Sequence, residues 1–414
     1  MRWRDRASRS EPIASSTGAV RMDFNVGLFE VLLLVSALVA MLVRRLHMPY
    51  SVGLVIAGIV LSFLASSRFP VIPLNEDFIY NVLLPPLIFE AAFHMRWGEI
   101  RRDFAVVQTL AFVGVLVSAG VAAMGMHYLL HWEWISGLLF GMLIAATDPV
   151  SVLASFREAG VAGRFRNLME AESLFNDGTA AAGFRVVLAF VGGAHVHPID
   201  VLRISGIVLL GSVFCGLLIG NVALSLLHRT DDHLVEIAFA MIAAYGSFLL
   251  AENLHLSGVL ATLVAGLVMG TRNAVNPMTK RGREAVENVL EYAVFSANSF
   301  IFLFIGIQQV QREYETVWAS IGIAVVVVML ARAVAVYPCC MLFARSSLRI
   351  DVRHQHILFW GGMRGALALA LAMGLPPGVP RREEIVTVSF AVVAFSIFVQ
   401  GTTMTALLRR LRVV

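Results

Sequence analysis

"AATDPVSV", residues 145 to 152, places Thr147, Asp148 and Pro149 in the middle of an apolar run long enough to cross a bilayer. Proline removes a helical hydrogen bond, and an acid is costly in hydrocarbon. The run therefore predicts a helix broken at mid-membrane rather than a continuous span. "GGMRGALALA", residues 361 to 370, repeats the interruption in a later run with three glycines and Arg364. Glycine weakens a helix interior, so this run also predicts a broken helix. Paired interruptions in corresponding positions of two halves are the sequence pointer to a carrier whose binding site lies near the midplane.

The rest of the chain agrees with a membrane setting. Its 414 residues are 58% hydrophobic and 14% charged, with a mean hydropathy of +0.79, far more apolar than a soluble domain. Thirteen runs reach spanning length, at roughly 26 to 43, 49 to 66, 78 to 95, 104 to 130, 134 to 156, 167 to 193, 200 to 228, 231 to 253, 256 to 271, 284 to 310, 315 to 344, 355 to 375 and 383 to 408. An all-α polytopic protein of about thirteen transmembrane helices follows. An odd count puts the termini on opposite sides. With the C-terminus cytoplasmic, the inward loops and tail hold nineteen Lys or Arg and the outward loops five, the bias that sets orientation. The net charge of +4 thus reports topology and excludes nucleic acid as a partner.

The N-terminal tail, residues 1 to 25, conflicts with this orientation because "MRWRDRASRSEPIASSTGAVR" carries five arginines on the outer side. Translation from Met22 removes the conflict. Cys215, Cys339 and Cys340 lie within apolar runs and read as packing residues. Thirteen spans accommodate two inverted six-helix repeats around a linker helix, with broken spans five and twelve equivalent and crossing near the midplane.

Ionisable residues inside spans face a cavity or a partner. The deep ones are Glu90, Asp148, Glu172, Asp177, Arg332 and Arg364. If Glu172 pairs with one arginine, and Glu90 or Asp148 is satisfied by the other, by a helix end or by a shared proton, Asp177 is left free to exchange ligands. In "ESLFNDGTAAAG", residues 172 to 183, Ser173 and Asp177 share one helix face, while Glu172 and Asn176 share the neighbouring one. Thr147 and unwound carbonyls in span five can complete an oxygen shell around a small hard cation, Na⁺ or Li⁺. Asp148 and Arg364 have the signs needed to neutralise helix ends at the crossing.

Blander readings cover the remaining motifs. Arg332 and Arg364 read as charge partners, because a bare cation is repelled by them. Pro85 and Pro86 read as a kink, and the His195 to His197 turn as solvated. His127, His131, Trp132 and Trp134 read as interfacial. Gly216/Gly220 and Gly266/Gly270 read as close helix packing. No GxSxG, HExxH or phosphate loop supports an enzyme.

"ATDPVSV", "ESLFNDGTA" and "GGMRGALALALA", in that order and in spans five, six and twelve, resemble the monovalent cation:proton antiporters of the NhaP-type sodium/proton exchanger branch. The resemblance implies exchange of Na⁺ (or Li⁺) for H⁺ by elevator-like alternating access in a homodimer. The alternatives are a K⁺/H⁺ exchanger or a sodium-coupled organic anion carrier of related fold. It implies a single antiporter domain over 26 to 414, with a core around spans 3 to 6 and 10 to 13, an interface domain from the other spans, and no soluble C-terminal domain. No cofactor is implied beyond the transported ions, and the plasma (inner) membrane is the implied location.

By position in the motifs, Asp177 resembles the ion-binding aspartate, Asn176 its companion, and Ser173 and Thr147, with Asp148, accessory ligands. The implied Na⁺ site is Asp177, Ser173 and Thr147. Glu90 resembles an acid close to the ion pathway. Glu172 resembles the acid of a core ion pair, with Arg332 and Arg364 as candidate partners. The Asn-Asp pair marks the electroneutral branch, in agreement with one carboxylate that carries either one Na⁺ or one H⁺. For the start at Met22, the expected outcome is an intact mass from the native host without residues 1 to 21. A mass that includes them contradicts it.

Overall fold

The computed structural model of this chain describes residues 26–46, 48–65, 78–95, 97–158, 160–161, 163–191, 197–227, 229–272, 278–311 and 317–411. The N-terminal tail, the start at Met22, and His195 and Val196 lie outside the described residues. His197 is exposed. Among the described residues there is no strand. This follows from apolar runs that must satisfy their own backbone groups in hydrocarbon.

The helices are α1 (Val26–Leu46), α2 (Tyr50–Ala65), α3 (Leu84–His94), α4 (Phe104–Leu130), α5 (Trp134–Ala145), α6 (Val150–Glu158), α7 (Arg164–Leu188), α8 (Pro198–Leu227), α9 (His233–Asn253), α10 (Gly258–Arg272), α11 (Lys280–Gln311), α12 (Trp318–Leu342), α13 (Val352–Trp360), α14 (Ala366–Met373) and α15 (Arg382–Arg410). Among the described residues, six are long and apolar enough to cross a membrane by length and composition: α4, α8, α9, α11, α12 and α15. Shorter apolar helices lie within α1, α2, α5 and α10. Both interrupted runs are broken as their composition predicts. α5 stops at Ala145 and α6 starts at Val150, while α13 stops at Trp360 and α14 starts at Ala366.

Pro85 and Pro86 occupy the first turn of α3, where a missing N–H costs little. The helix reaches them through a π-turn, Ile79–Leu83. Similar π-turns lie inside α4 at Thr109–Gly114 and inside α15 at Ser396–Gly401.

One large apolar cluster includes residues of α5, α7, α12 and α14, and a smaller one joins α3, α8, α9, α10 and α11. Small residues set the close crossings. Gly216 and Gly220 of α8 lie against Ala261 and Ala265 of α10, and Gly266 and Gly270 of α10 lie against Phe89 and Phe93 of α3. At the crossing of α2 and α11, a Cβ on Gly58 would collide with the Leu303 carbonyl, and one on Gly306 with the Val55 carbonyl. The three cysteines are buried and unpaired.

Trp132 is turned into the bundle rather than towards its surface. It is 1% exposed, and its ring packs edge-on against Phe140 at 5.7 Å. The chain turns inward at His131, whose left-handed φ of 55° ends α4 and folds the next residue under it. Trp134 remains 46% exposed and stacks on His127 at 4.2 Å. The α2–α11 crossing gives a stability test. Gly306→Ala should cost about 1–3 kcal/mol through overpacking, read as a lower thermal midpoint in detergent. Gly322→Ala, in open space on α12, should leave the midpoint unchanged or raise it.

Candidate functional site

The two breaks meet. The Asp148 N–H donates to the Met363 carbonyl at 2.7 Å, so the unwound segment 146–149 runs against the unwound segment 361–365. Gly365 is required there, because a Cβ would collide with the Asp148 side chain. Four helix ends converge at this crossing, and unpaired ends carry partial charge. Three of the four have an answering side chain. Arg364 donates from Nη1 to the carbonyls of Ala145 (2.9 Å) and Ala146 (3.2 Å), covering the C-terminal end of α5. Arg332 donates from Nη2 to the Leu358 carbonyl at 3.1 Å, in the last turn of α13. Asp148 Oδ1 accepts the Val150 N–H at 2.9 Å at the start of α6, and the same carboxylate lies against Gly365 at the start of α14.

α7 passes beside the first break and fixes its shape. Asn176 Oδ1 accepts the Thr147 N–H (3.1 Å), and Asn176 Nδ2 donates to Thr147 Oγ1 (2.6 Å) and Glu172 Oε1 (3.1 Å). Ser173 Oγ donates to the Thr147 carbonyl. Glu172, 1% exposed, takes a forked pair from Arg332 at 2.9 Å and 3.3 Å. The sequence leaves two arginines open for Glu172, and the structure places Arg332 on it and Arg364 on helix carbonyls.

Asp177 differs from all of these. It sits one turn beyond Ser173, close to the Thr147 backbone and within electrostatic reach of Asp148 and Glu172. Its Oδ1 is buried with no hydrogen-bond partner. A buried carboxylate oxygen without a donor is costly, and either a proton or a cation relieves that cost. Thr147, Ser173 and Asp177 therefore converge as a hydroxyl, carbonyl and carboxylate group, the ligand chemistry of a hard cation. Asn176 holds this arrangement together, accepting from the Thr147 N–H and donating to Thr147 Oγ1 and Glu172 Oε1. Glu90 lies on α3, with its carboxylate 3.3 Å from His94 and a quarter exposed.

Two charged contacts carry weight that sequence reasoning did not assign. Asp103, 4% exposed, accepts a fork from Arg164 at the start of α7. Arg185, near the other end of α7, pairs with Glu252 of α9. The partners are 61 and 67 residues apart, so no local spacing links them. Their only sequence signal is opposite charge at matching ends of neighbouring spans.

The family model described as "Sodium/hydrogen exchanger, transmembrane" matches residues 31–410. The low-affinity Na⁺/H⁺ antiporter NhaS1 of Synechocystis is 33% identical over 395 residues, covering 93% of this chain and 74% of its own length. The Na⁺/H⁺ antiporter ApNhaP of Aphanothece halophytica is 34% identical over 367 residues, covering 88% of this chain and 70% of its own length. Among solved structures, the sodium proton antiporter MjNhaP1 of Methanocaldococcus jannaschii superposes with a TM-score of 0.77, covering 93% of this chain and 98% of that one at 20% identity.

The Arg332–Glu172 pair sets a prediction. Arg332→Ala leaves a buried carboxylate uncompensated and should cost about 3–5 kcal/mol, measured as thermal stability in detergent. Adding Glu172→Gln to it should recover part of that loss, and a fully additive double variant would show the two groups to be independent.

Proposed function

The chain belongs to the sodium/hydrogen exchanger transmembrane family, and on that premise we propose that it exchanges Na⁺ or Li⁺ for H⁺ across the inner membrane, with Asp177 as the exchanging group. One observation carries the assignment: the Asp177 oxygen that is buried, unpartnered and adjacent to an unwound, oxygen-rich stretch of backbone. The other deep charges of the crossing are committed. Glu172 belongs to Arg332, Asp148 to the start of α6, and Arg364 to helix carbonyls.

In the proposed cycle Asp177 binds a cation when deprotonated and a proton otherwise. Competition for one carboxylate couples the two fluxes, and each half-cycle carries one positive charge, so the exchange is electroneutral. Thr147 and Ser173 supply oxygen ligands, and Asn176 holds Thr147 in place for them. Two arginines near the site repel a free cation but leave it stable beside Asp177, because Glu172 and the helix carbonyls absorb their charge. A ligand can shift the carrier between inward-facing and outward-facing states only through such differential contacts.

The wider architecture is part of the proposal. Thirteen spans follow if each break counts as one crossing: α5 with α6, and α13 with α14. The breaks then fall in spans five and twelve, the positions that two inverted six-helix repeats require. The core around spans 3 to 6 and 10 to 13 carries the crossing, the remaining spans form the interface domain of a homodimer, and the C-terminus is cytoplasmic.

Asp177→Asn should abolish cation-dependent dissipation of a pH gradient in vesicles, and exchange at the parent rate in that variant would refute the assignment. Clamping the membrane potential in proteoliposomes should leave the exchange rate unchanged. A clear voltage dependence would contradict a single exchanging carboxylate. Lowering pH on the cation-loading side should slow exchange through competition, seen as a rise in apparent KM for Na⁺ with the maximal rate kept.

A further inference from the structure

Eight residues beyond Asp177, about 12 Å along the helix axis, α7 carries Arg185, which pairs with Glu252 of α9. Glu252 is held by two further donors. Tyr80 Oη donates to its Oε1 at 2.9 Å, and the Gly258 N–H donates to the same oxygen at 2.9 Å. Tyr80 lies on the π-turn before α3 and packs edge-on against the fully buried Phe248 of α9 at 5.2 Å. Arg185 is therefore the one member of this group that rides on α7, while the others belong to α3, α9 and α10 with their connections.

Two ion pairs of α7 behave differently by construction. Arg332 and Glu172 are 7% and 1% exposed, and both are tied by additional bonds, to Leu358 and Asn176. Separating them would strand a charge in hydrocarbon. Arg185 and Glu252 are 23% and 14% exposed, so this pair is less enclosed than the first. If α7 moves away from α9 and α10, Glu252 keeps the Gly258 N–H while the Tyr80 bond is lost with the Arg185 pair, and Arg185 can be hydrated. Such a pair can break and re-form at modest cost, as a bistable contact must.

We propose that Arg185 and Glu252, with Tyr80 as the second side-chain donor, form a gate that closes the route from Asp177 to the membrane face at the C-terminal end of α7. The gate opens when α7 slides against α9. This rests on the proposed carrier function only in that α7 is the moving element. Between the two charges and Asp177 lies Ala181, which is 1% exposed and one turn from Asp177 on nearly the same helix face, so its burial reports closure.

The test uses the full chain in liposomes with Cys215, Cys339 and Cys340 replaced by alanine and Ala181→Cys as reporter, labelled from each face with a membrane-impermeant charged methanethiosulfonate. Arg185→Gln should speed labelling from the gate face by about tenfold or more, by shifting the population towards the open state, and should slow it from the opposite face. Arg185→Lys should stay within about threefold of the parent, and Tyr80→Phe, which keeps the ring against Phe248, should fall between them. Unchanged labelling in Arg185→Gln, equal acceleration in Arg185→Lys, or acceleration from both faces together would overturn the gate. Na⁺-dependent pH-gradient dissipation by the same parent protein is read alongside. Its absence would count against the exchange function, whereas active exchange with unaltered labelling would count against the gate alone.

Discussion

The structure depends on one backbone contact, the Asp148 N–H donated to the Met363 carbonyl, by which two interrupted helices cross. Breaking a helix in hydrocarbon exposes backbone groups at its free ends, and an interior that excludes water charges several kcal/mol for each one left unsatisfied. Every other polar choice at the crossing answers that cost. Arg364 and Arg332 take the two carboxyl ends, Asp148 takes the amino end of α6, and Gly365 lets the segments approach. The resulting frame is charge-balanced around its own breaks, and the proposed exchange puts the variable charge on Asp177.

α7 turns that frame into a site. Its Glu172–Ser173–Asn176–Asp177 sequence grips Thr147 by both main-chain atoms and by the hydroxyl, while Arg332 anchors Glu172 from α12. In the proposed cycle a cation or proton at Asp177 acts directly on the unwound segment. The same helix carries at its far end the Arg185 contact to Glu252. One rigid element therefore links the exchanging group to a contact with the rest of the bundle, in line with coupling carried by packed secondary structure.

Much of this was legible in the sequence, for specific physical reasons. Asp148 with Pro149, and Arg364 among three glycines, are so costly in a continuous span that the breaks follow from composition. The four-residue spacing of Glu172 and Asn176 places them on one face, and they do meet, at 3.1 Å. Spacing does not reach across the fold, so nothing local distinguishes Arg332 from Arg364 as the partner of Glu172 over 160 residues. Trp132 differs from the exposed Trp134 because the left-handed turn at His131 folds it into the bundle against Phe140. Arg185 and Glu252 escape notice because charges near span ends are ordinarily solvated; only the packing of Tyr80 and Phe248 makes theirs a half-buried pair.

The central claim is that a single carboxylate alternates between a proton and a cation. Calorimetric titration of the purified protein with Li⁺ or Na⁺, repeated in buffers of different ionisation enthalpy, counts protons released per cation bound. One proton released per cation at a pH where Asp177 is protonated, and neither binding heat nor proton release in Asp177→Asn, is the result this account predicts. Cation binding without proton release, or binding that survives loss of the Asp177 carboxylate, would contradict it.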